Sequence, residues 1–533
     1  MVLLSLLYPW GIIPLVACIF YINRRKQRRL PPGPKPLPVV GNIRDFPPDG
    51  TPEFQHWLKH KEVYGPISSV TVLGTTLVII HDRNAVQYLL EKTASKTSGR
   101  PEMVFANKMC GYESIVLCQG YHDKFRHCRK LLHRELGTSV KAAQFAEAQE
   151  LEVDRQLVRA LEQPQKWLDH FQTTSSATVL KMAYGYNIDR EKPDRLVSLI
   201  DRMMTEFSLA AAPMAWMVDI IPALQYLPEG FPGAQFQRIA REWRKSIEAA
   251  AYIPYGFVQR QMAKDQYQPS YVSKLVEQCK IEGSSEGKCL NYDDEEAIIW
   301  TAASLYGAAA DTTTITLSAF TLAMVLFPEV QRKAQEEIDR VIGTGRLPRV
   351  ADRVNLPYVD AVVKETLRWW PIAPMGFPHT ADEDIEYNDY LIPKGAYLLP
   401  AVWWFLHDPE VYANPEAFDP ERFLAPRNEP DPVSDAFGYG RRICPGRFFA
   451  DTGLYLSIAN SLAIFNIGKS VTENGNEIAV EAKAKPGILN YVGKFQFHVT
   501  PRSQEHIDIV KRLEMELPQE EHDADALDLS VLN

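Results

Sequence analysis

The sequence predicts a mainly α chain with small β-sheets, preceded by one N-terminal transmembrane helix. Three observations carry that class. Residues 141–290 read as helix over most of their length, and residues 293–327 are long enough for a single core-crossing helix. Short alternating segments between turn residues, residues 67–80 first among them, supply the strands. Residues 2–22 are almost all apolar, and twenty-one residues at about 1.5 Å each reach roughly 31 Å, enough for a hydrocarbon core.

Composition sets the outer bounds. The chain has 533 residues, 46% of them hydrophobic, which is ordinary for a globular enzyme. No Gly/Ser linker or compositional break divides residues 51–500, so residues 51–502 read as one large domain. A formal net charge of −9 excludes nucleic acid as the main partner. The seven cysteines, at 18, 110, 118, 128, 279, 289 and 444, are scattered without metal-type spacing, which points to a reducing compartment and no disulfide framework.

In chain order, residues 1–22 are the anchor. The basic cluster of Arg24, Arg25, Lys26, Arg28 and Arg29 follows the apolar run, which orients the bulk of the chain to the cytoplasm. A cleaved signal peptide would want the charges first and a small-residue cleavage site after. Residues 23–50 are basic and then proline-rich, a stiff hinge. Residues 67–80 read as a hairpin turning at Gly74 and Thr75. Residues 121–132 read as a basic helix on which Phe125 and Arg129, at i and i+4, share a face. Residues 207–243 carry two Pro/Gly breaks flanked by large apolar side chains, a loop between two helices. The polar tract 280–288 reads as disordered.

Within residues 293–327, Asp311 is followed by Thr312, Thr313 and Thr314. Threonines lower helix propensity, and such a local conflict is expected at a functional site. Glu365 and Arg368 stand at i and i+3 after an apolar helix face, with the segment FDPERF about fifty residues on. Prolines keep residues 371–384 extended. EYNDYLIPKG is a hairpin turning at Asn388 and Asp389, and residues 485–499 end in short strands. Residues 503–533 form an acidic tail, expected to be loosely ordered.

The rest of the chain is organised around FGYGRRICPGRFFA, residues 437–450. A lone cysteine is ordinarily a small buried hydrophobe. Here Cys444 stands between a glycine-rich turn, with Gly438 and Gly440, and a helix start at which Pro445 fits the first turn. A thiolate there would face the positive end of a helix, with Arg441 and Arg442 nearby. The spacing Phe-x-x-Gly-x-Arg-x-Cys-x-Gly is filled at every fixed position, and it is the signature loop of the cytochrome P450 family, which the chain resembles over nearly its whole length.

The resemblance implies the cytochrome P450 fold, heme b (iron protoporphyrin IX) as cofactor, and Cys444 as axial ligand to its iron. Phe437, Gly438, Arg442 and Gly446 would surround the haem. Arg129 would pair with a propionate, Phe125 would stand where the family has tryptophan, and His379 would reach a propionate. Asp311 and Thr312 would be the acid–alcohol pair that delivers protons; Ala309 replaces the usual glycine beside them. Glu365, Arg368 and Arg422 would form a buried ionic triad, and Ala308, Ile372, Ala373, Phe377 and Ile488 would line the substrate cavity.

The activity implied is monooxygenation of a hydrophobic small molecule. It takes O2 and NADPH-derived electrons from NADPH-cytochrome P450 reductase, with cytochrome b5 as a second donor. Arg441, Arg447, Lys130 and Arg134 would offer a basic docking face. The chain would be a monomer held by one span in the endoplasmic reticulum membrane, its catalytic domain cytoplasmic. The pattern most resembles fungal microsomal enzymes of secondary metabolism, of the O-methylsterigmatocystin oxidoreductase-like group, which implies a terpenoid or aromatic polyketide substrate. The alternatives are a haem-thiolate isomerase or dehydratase that needs no reductase, a xenobiotic-detoxifying monooxygenase, and a haem sensor or electron carrier.

Overall fold

The computed structural model describes residues 30–530 except 49, 190–191, 212–214, 229 and 284–290. The expected anchor therefore lies outside the described residues. The polar tract 280–288 lies partly outside them: the helix Tyr271–Gly283 runs into its start, where disorder was expected.

The axis of the body is the 35-residue helix Tyr292–Leu326, about 52 Å long at 1.5 Å per residue. Asn291 caps it by accepting the Asp294 N–H at 2.8 Å, and Asp293, Asp294 and Glu295 complement the dipole of the first turn. Threonines are tolerated in its middle where the hydroxyl is satisfied within the helix, as it is for three of them. Thr312 donates to the Ala308 carbonyl at 2.7 Å, Thr314 to Ala310 at 2.8 Å and Thr316 to Thr312 at 3.1 Å. Among the described residues this is the one helix long and apolar enough to cross a membrane, but it is the core of the body. Trp167–Tyr184, Arg195–Ala210, Gln235–Ala263 and Tyr271–Gly283 pack on it, as do Asp123–Leu136, Pro357–Trp369 and Arg447–Ile464.

Two large apolar clusters divide its length. One joins its first half to the helices Arg195–Ala210 and Gln235–Ala263. The other joins its second half to Pro328–Val341, Pro357–Trp369 and Arg447–Ile464. A four-stranded sheet stands to one side, in the order Ile67–Val72, Thr75–Ile80, Tyr397–Pro400, His379–Thr380, the middle pair parallel and the outer pairs antiparallel. Its hairpin turns at Leu73 and Gly74, φ 47° and 92°, one residue before the turn the sequence suggested; Thr75 already pairs with Val72. Ile385–Tyr387 pairs with Tyr390–Ile392 across Asn388, and Phe465–Lys469 pairs with Phe497–Pro501.

The C-terminal tail is not loose. Residues Gln504–Glu516 form a helix that buries His506, Ile509 and Val510. Beyond it, Glu520 pairs with Arg155 at 3.2 Å and Lys181 at 2.7 Å, and Asp523 accepts the Asn187 N–H at 2.8 Å. The acids read as a solvated run find cations from distant elements.

Candidate haem-thiolate site

The segment 437–446 is a tight loop closed by its own backbone: the Cys444 N–H donates to the Phe437 carbonyl at 2.8 Å. Gly438 and Gly440 take φ of 77° and 54°. At Gly440 the need is also steric, since a Cβ there would lie 2.2 Å from the Leu90 carbonyl oxygen. The helix that follows begins at Arg447 with Gly446 at its N-cap, so Pro445 precedes the helix instead of filling its first turn. Burial pushes the Cys444 thiol up, while the Gly446 N–H and the charges of Arg129 and Arg447 favour the thiolate. Arg441, expected beside the sulfur, is exposed and donates to the Tyr121 hydroxyl.

Three guanidinium groups converge next to this loop. Arg129 donates to the Ile443 carbonyl at 2.8 Å. Arg442 donates to the carbonyls of Ser98 and Gln119 at 2.8 and 2.7 Å, and its guanidinium lies 3.6 Å from the centre of the Phe125 ring. Arg100, which no spacing in the sequence singled out, donates to Leu117, Phe377 and Pro378 carbonyls at 3.1, 2.8 and 2.8 Å. Every one of these bonds is to a neutral carbonyl. Burial and mutual repulsion bring Arg442 down to about 8 and Arg100 down to about 10, with Asp382 and Cys118 pulling Arg442 the other way. His379 lies against them with Nδ1 on the Thr97 carbonyl at 2.8 Å, and burial and Arg100 keep it neutral. A half-buried cationic cluster with no paired carboxylate among the described residues suits a ligand carrying two of them. With a lone cysteine loop beside it, the donor set fits iron protoporphyrin.

On the long helix the middle turn is open: Ala308 is exposed and Ala309, Asp311 and Thr312 are half-buried, whereas the flanking turns are buried. Thr312 keeps its hydroxyl lone pairs while donating to Ala308. Asp311 does not stand free: its Oδ2 accepts the Tyr491 hydroxyl at 2.6 Å. Burial raises the Asp311 carboxyl to about 6, against that hydrogen bond. Tyr491 lies in the segment 485–499, expected to end in short strands, and a partner 180 residues away in sequence leaves no spacing signal.

Of the expected cavity residues, Ile372 and Ala373 are half-buried beside the 487–491 turn, with the Ile372 carbonyl accepting the Asn490 N–H at 2.8 Å. Ile488 lines a narrow cleft with Phe54, Pro374, Met375 and Leu399; Phe377 flanks Arg100. Glu365, Arg368 and Arg422 are brought together, all wholly buried. Arg368 Nε and Nη2 meet the two Glu365 oxygens at 2.7 and 2.9 Å, and Arg422 Nε meets Oε1 at 3.0 Å. A fourth member was not foreseen: Glu429 takes Arg422 Nη1 at 2.7 Å.

The loop, the helix and the cationic cluster define a haem-thiolate enzyme, and the comparisons agree. The Cytochrome P450 family model matches residues 31–482, and the chain belongs to that family. It is 49% identical over 501 residues to the multifunctional cytochrome P450 monooxygenase af510 of Aspergillus fumigatus, covering 94% of this chain and 93% of that one. It is 46% identical over 527 residues to the cytochrome P450 monooxygenase CLM2 of Gibberella zeae, covering 98% and 99%. It is 38% identical over 504 residues to the O-methylsterigmatocystin oxidoreductase of Aspergillus flavus, covering 94% and 93%. The protein is thus a haem-thiolate monooxygenase that uses O2 and NADPH-derived electrons and works with a redox partner on a hydrophobic substrate.

Proposed function

We propose that this monooxygenase ligates the haem iron through Cys444, holds the haem carboxylates with Arg100, Arg129 and Arg442, with His379 becoming a further donor once the carboxylates' charge protonates it, and delivers protons through Asp311 and Thr312. The observation that carries the reading is the convergence of three guanidinium groups, bonded only to neutral carbonyls, beside the one cysteine in a glycine-rich loop. The bound haem supplies dioxygen activation and the transfer of one oxygen atom.

The chain's own residues do the rest. Thr312 donates to Ala308 and so presents acceptor lone pairs to a water in the open turn. Asp311, which stays protonated up to about pH 6, gives a proton to that water and recovers one from solvent. Ala308, Ile372, Ala373, Phe377 and Ile488 give the substrate apolar walls that exclude water. The test is the reduced protein with carbon monoxide. The wild type should show the strongly red-shifted Soret band of a thiolate-ligated haem, and Cys444→Ser should lose it; a retained band would remove Cys444 from the role.

The finer reading is of a monomer anchored by residues 1–22 in the endoplasmic reticulum membrane. Residues 23–50 are then its hinge, and residues 51–502 its cytoplasmic catalytic domain. The exposed apolar side chains Met217, Ile221, Tyr226 and Phe231 support a second, peripheral membrane contact. Deleting residues 1–29 should release much of the protein from microsomes, keep the carbon monoxide band and leave a residual salt-resistant association. Full release into the soluble fraction would argue against the peripheral contact. NADPH-cytochrome P450 reductase and cytochrome b5 would dock near Lys130, Arg134, Arg441 and Arg447. A terpenoid or aromatic polyketide substrate is supported by the likeness to a relative named as an O-methylsterigmatocystin oxidoreductase. Metabolite profiles of a host with and without the protein test it.

A further inference from the structure

The turn 487–491 is tied to the segment 370–372 by three hydrogen bonds of Asn490. Trp370 donates its indole N–H to the Asn490 carbonyl at 2.7 Å, the Asn490 side chain donates to the Pro371 carbonyl at 3.2 Å, and the Asn490 N–H reaches the Ile372 carbonyl at 2.8 Å. On the next residue, the Tyr491 carbonyl accepts the Lys485 N–H at 2.9 Å. The turn also leans on the helix Arg195–Ala210: a Cβ on Gly487 would lie 3.6 Å from Ser208 Oγ. Tyr491 is thereby fixed with its hydroxyl 2.6 Å from Asp311 Oδ2. On that same helix stands Asp201, exposed to solvent, its Oδ1 accepting Gln172 Nε2 at 2.8 Å.

We propose that Tyr491 is a positioning and relay residue for proton delivery: its phenol holds the Asp311 carboxyl and links it to solvent on the Asp201 side of the helix Arg195–Ala210. The proposal rests on the reading of Asp311 and Thr312 as the proton-delivery pair. In each transfer the Asp311 O–H gives its proton to the water held at Thr312 and becomes a carboxylate. The Tyr491 O–H passes its proton to that carboxylate while its oxygen takes one from water on the Asp201 side. One solvent proton enters for each delivered, and the phenol ends neutral. Tyr491 does not ionise at rest, because burial and the facing Asp311 and Asp201 charges push it up.

Two titratable groups act on Asp311. Tyr491 comes from the turn and lowers its proton affinity; Asp201 comes from the helix Arg195–Ala210 and raises it. Among the described residues, the other helices packed on the long helix bring no charge to it. Removing the two partners should therefore move Asp311 in opposite directions.

The experiment uses haem-loaded protein with Tyr491→Phe, Asp201→Asn and Asp311→Asn. Infrared difference spectra across pH follow the protonated carboxyl band, assigned to Asp311 by its loss in Asp311→Asn. The midpoint should rise by about one pH unit in Tyr491→Phe, as expected for loss of a hydrogen bond to a charged group, and fall in Asp201→Asn. Oxygen consumption in Tyr491→Phe should drop about tenfold at neutral pH and show a larger solvent isotope effect, with substrate binding and the carbon monoxide band unchanged. An unmoved midpoint in Tyr491→Phe would overturn the proposal. So would unchanged turnover there beside a strong loss in Asp311→Asn, which leaves the acid–alcohol reading intact. If Asp311→Asn itself turns over normally, that underlying reading falls. Should Tyr491→Phe fail to hold haem, the exposed Asp201→Asn still decides: an Asp311 midpoint that does not fall removes the link to that helix.

Discussion

At the residue scale, two departures from the family pattern acquire physical content. Phe125 stands where tryptophan is usual, and its ring face carries the Arg442 guanidinium at 3.6 Å, a cation–π contact in a partly desolvated setting. What the indole N–H would have given is replaced by an apolar plate that fixes Arg442. Ala309 replaces glycine in the open turn, yet Thr312 still reaches the Ala308 carbonyl at 2.7 Å. The added methyl has not displaced the hydroxyl. Thr312→Ala should accordingly leave haem content and substrate affinity nearly unchanged, because only one hydroxyl is lost. Positioned proton delivery is worth about 10²–10⁴-fold, so product should fall steeply while NADPH oxidation falls less and hydrogen peroxide appears. The measurement is product per NADPH with peroxide assayed in parallel; an unchanged ratio would take the proton-positioning role from Thr312.

At the scale of elements, the helix Pro357–Trp369 is tied to the segment Pro420–Phe423 by charge. Glu365 accepts from Arg368 and Arg422 and from the Asp419 N–H at 2.7 Å, and Arg368 also donates to the Leu406, Pro415 and Ala417 carbonyls. All three charged side chains are fully buried. Glu365→Gln would leave two guanidinium groups without their shared counter-charge, and breaking a buried pair this way costs about 3–5 kcal/mol. Most of the expressed chain should then fail to retain haem or should melt well below wild type, read as the carbon monoxide band per milligram and as Tm; a wild-type melting point would mean Glu429 alone suffices. These elements were legible from sequence because their signals are local: i, i+3 charges, a threonine run inside an apolar helix, a cysteine with fixed neighbours. Arg100 and Tyr491 were not, because Tyr491 acts through a partner far away in sequence and Arg100 through carbonyls that any segment could supply; Glu429, seven residues from Arg422, lacks the spacing of any regular element and so left no signal. The helix start at Arg447 was missed by two residues because Pro445 is as compatible with the position before a cap as with a first turn.

At the scale of the whole molecule, the C-terminal segment changes how the body is closed. Its composition suggested solvation, but its acids meet cations that lie on separate helices. Arg155, on the helix Ala146–Glu162, is buried and donates to the Pro518 carbonyl as well as pairing with Glu520. Lys181 of the helix Trp167–Tyr184 takes the other Glu520 oxygen. Asp523 exchanges backbone and side-chain bonds with Asn187, Arg260 donates to the Ala526 carbonyl at 3.2 Å, and Leu527 and Leu529 pack on the cluster that includes the helix Gln235–Ala263. The segment is a strap that ties the helices Ala146–Glu162 and Trp167–Tyr184 to the C-terminal end of the helix Gln235–Ala263. A chain ending at Leu517 loses the strap but keeps the helix Gln504–Glu516. Hydrogen bonds to charged groups are each worth about 1.5–3 kcal/mol, and Arg155 retains Glu152 as a partner, so the loss should fall in the lower part of that range for each contact. The truncated protein should fold and show the full carbon monoxide band, melt several degrees lower, and exchange amide hydrogens faster near Asn187 and toward the Arg260 end of its helix. Exchange near Cys444 should stay slow, since no strap contact reaches that loop. Faster exchange spread evenly over the body would mean that the segment stabilises the fold as a whole instead of tying these helices together locally.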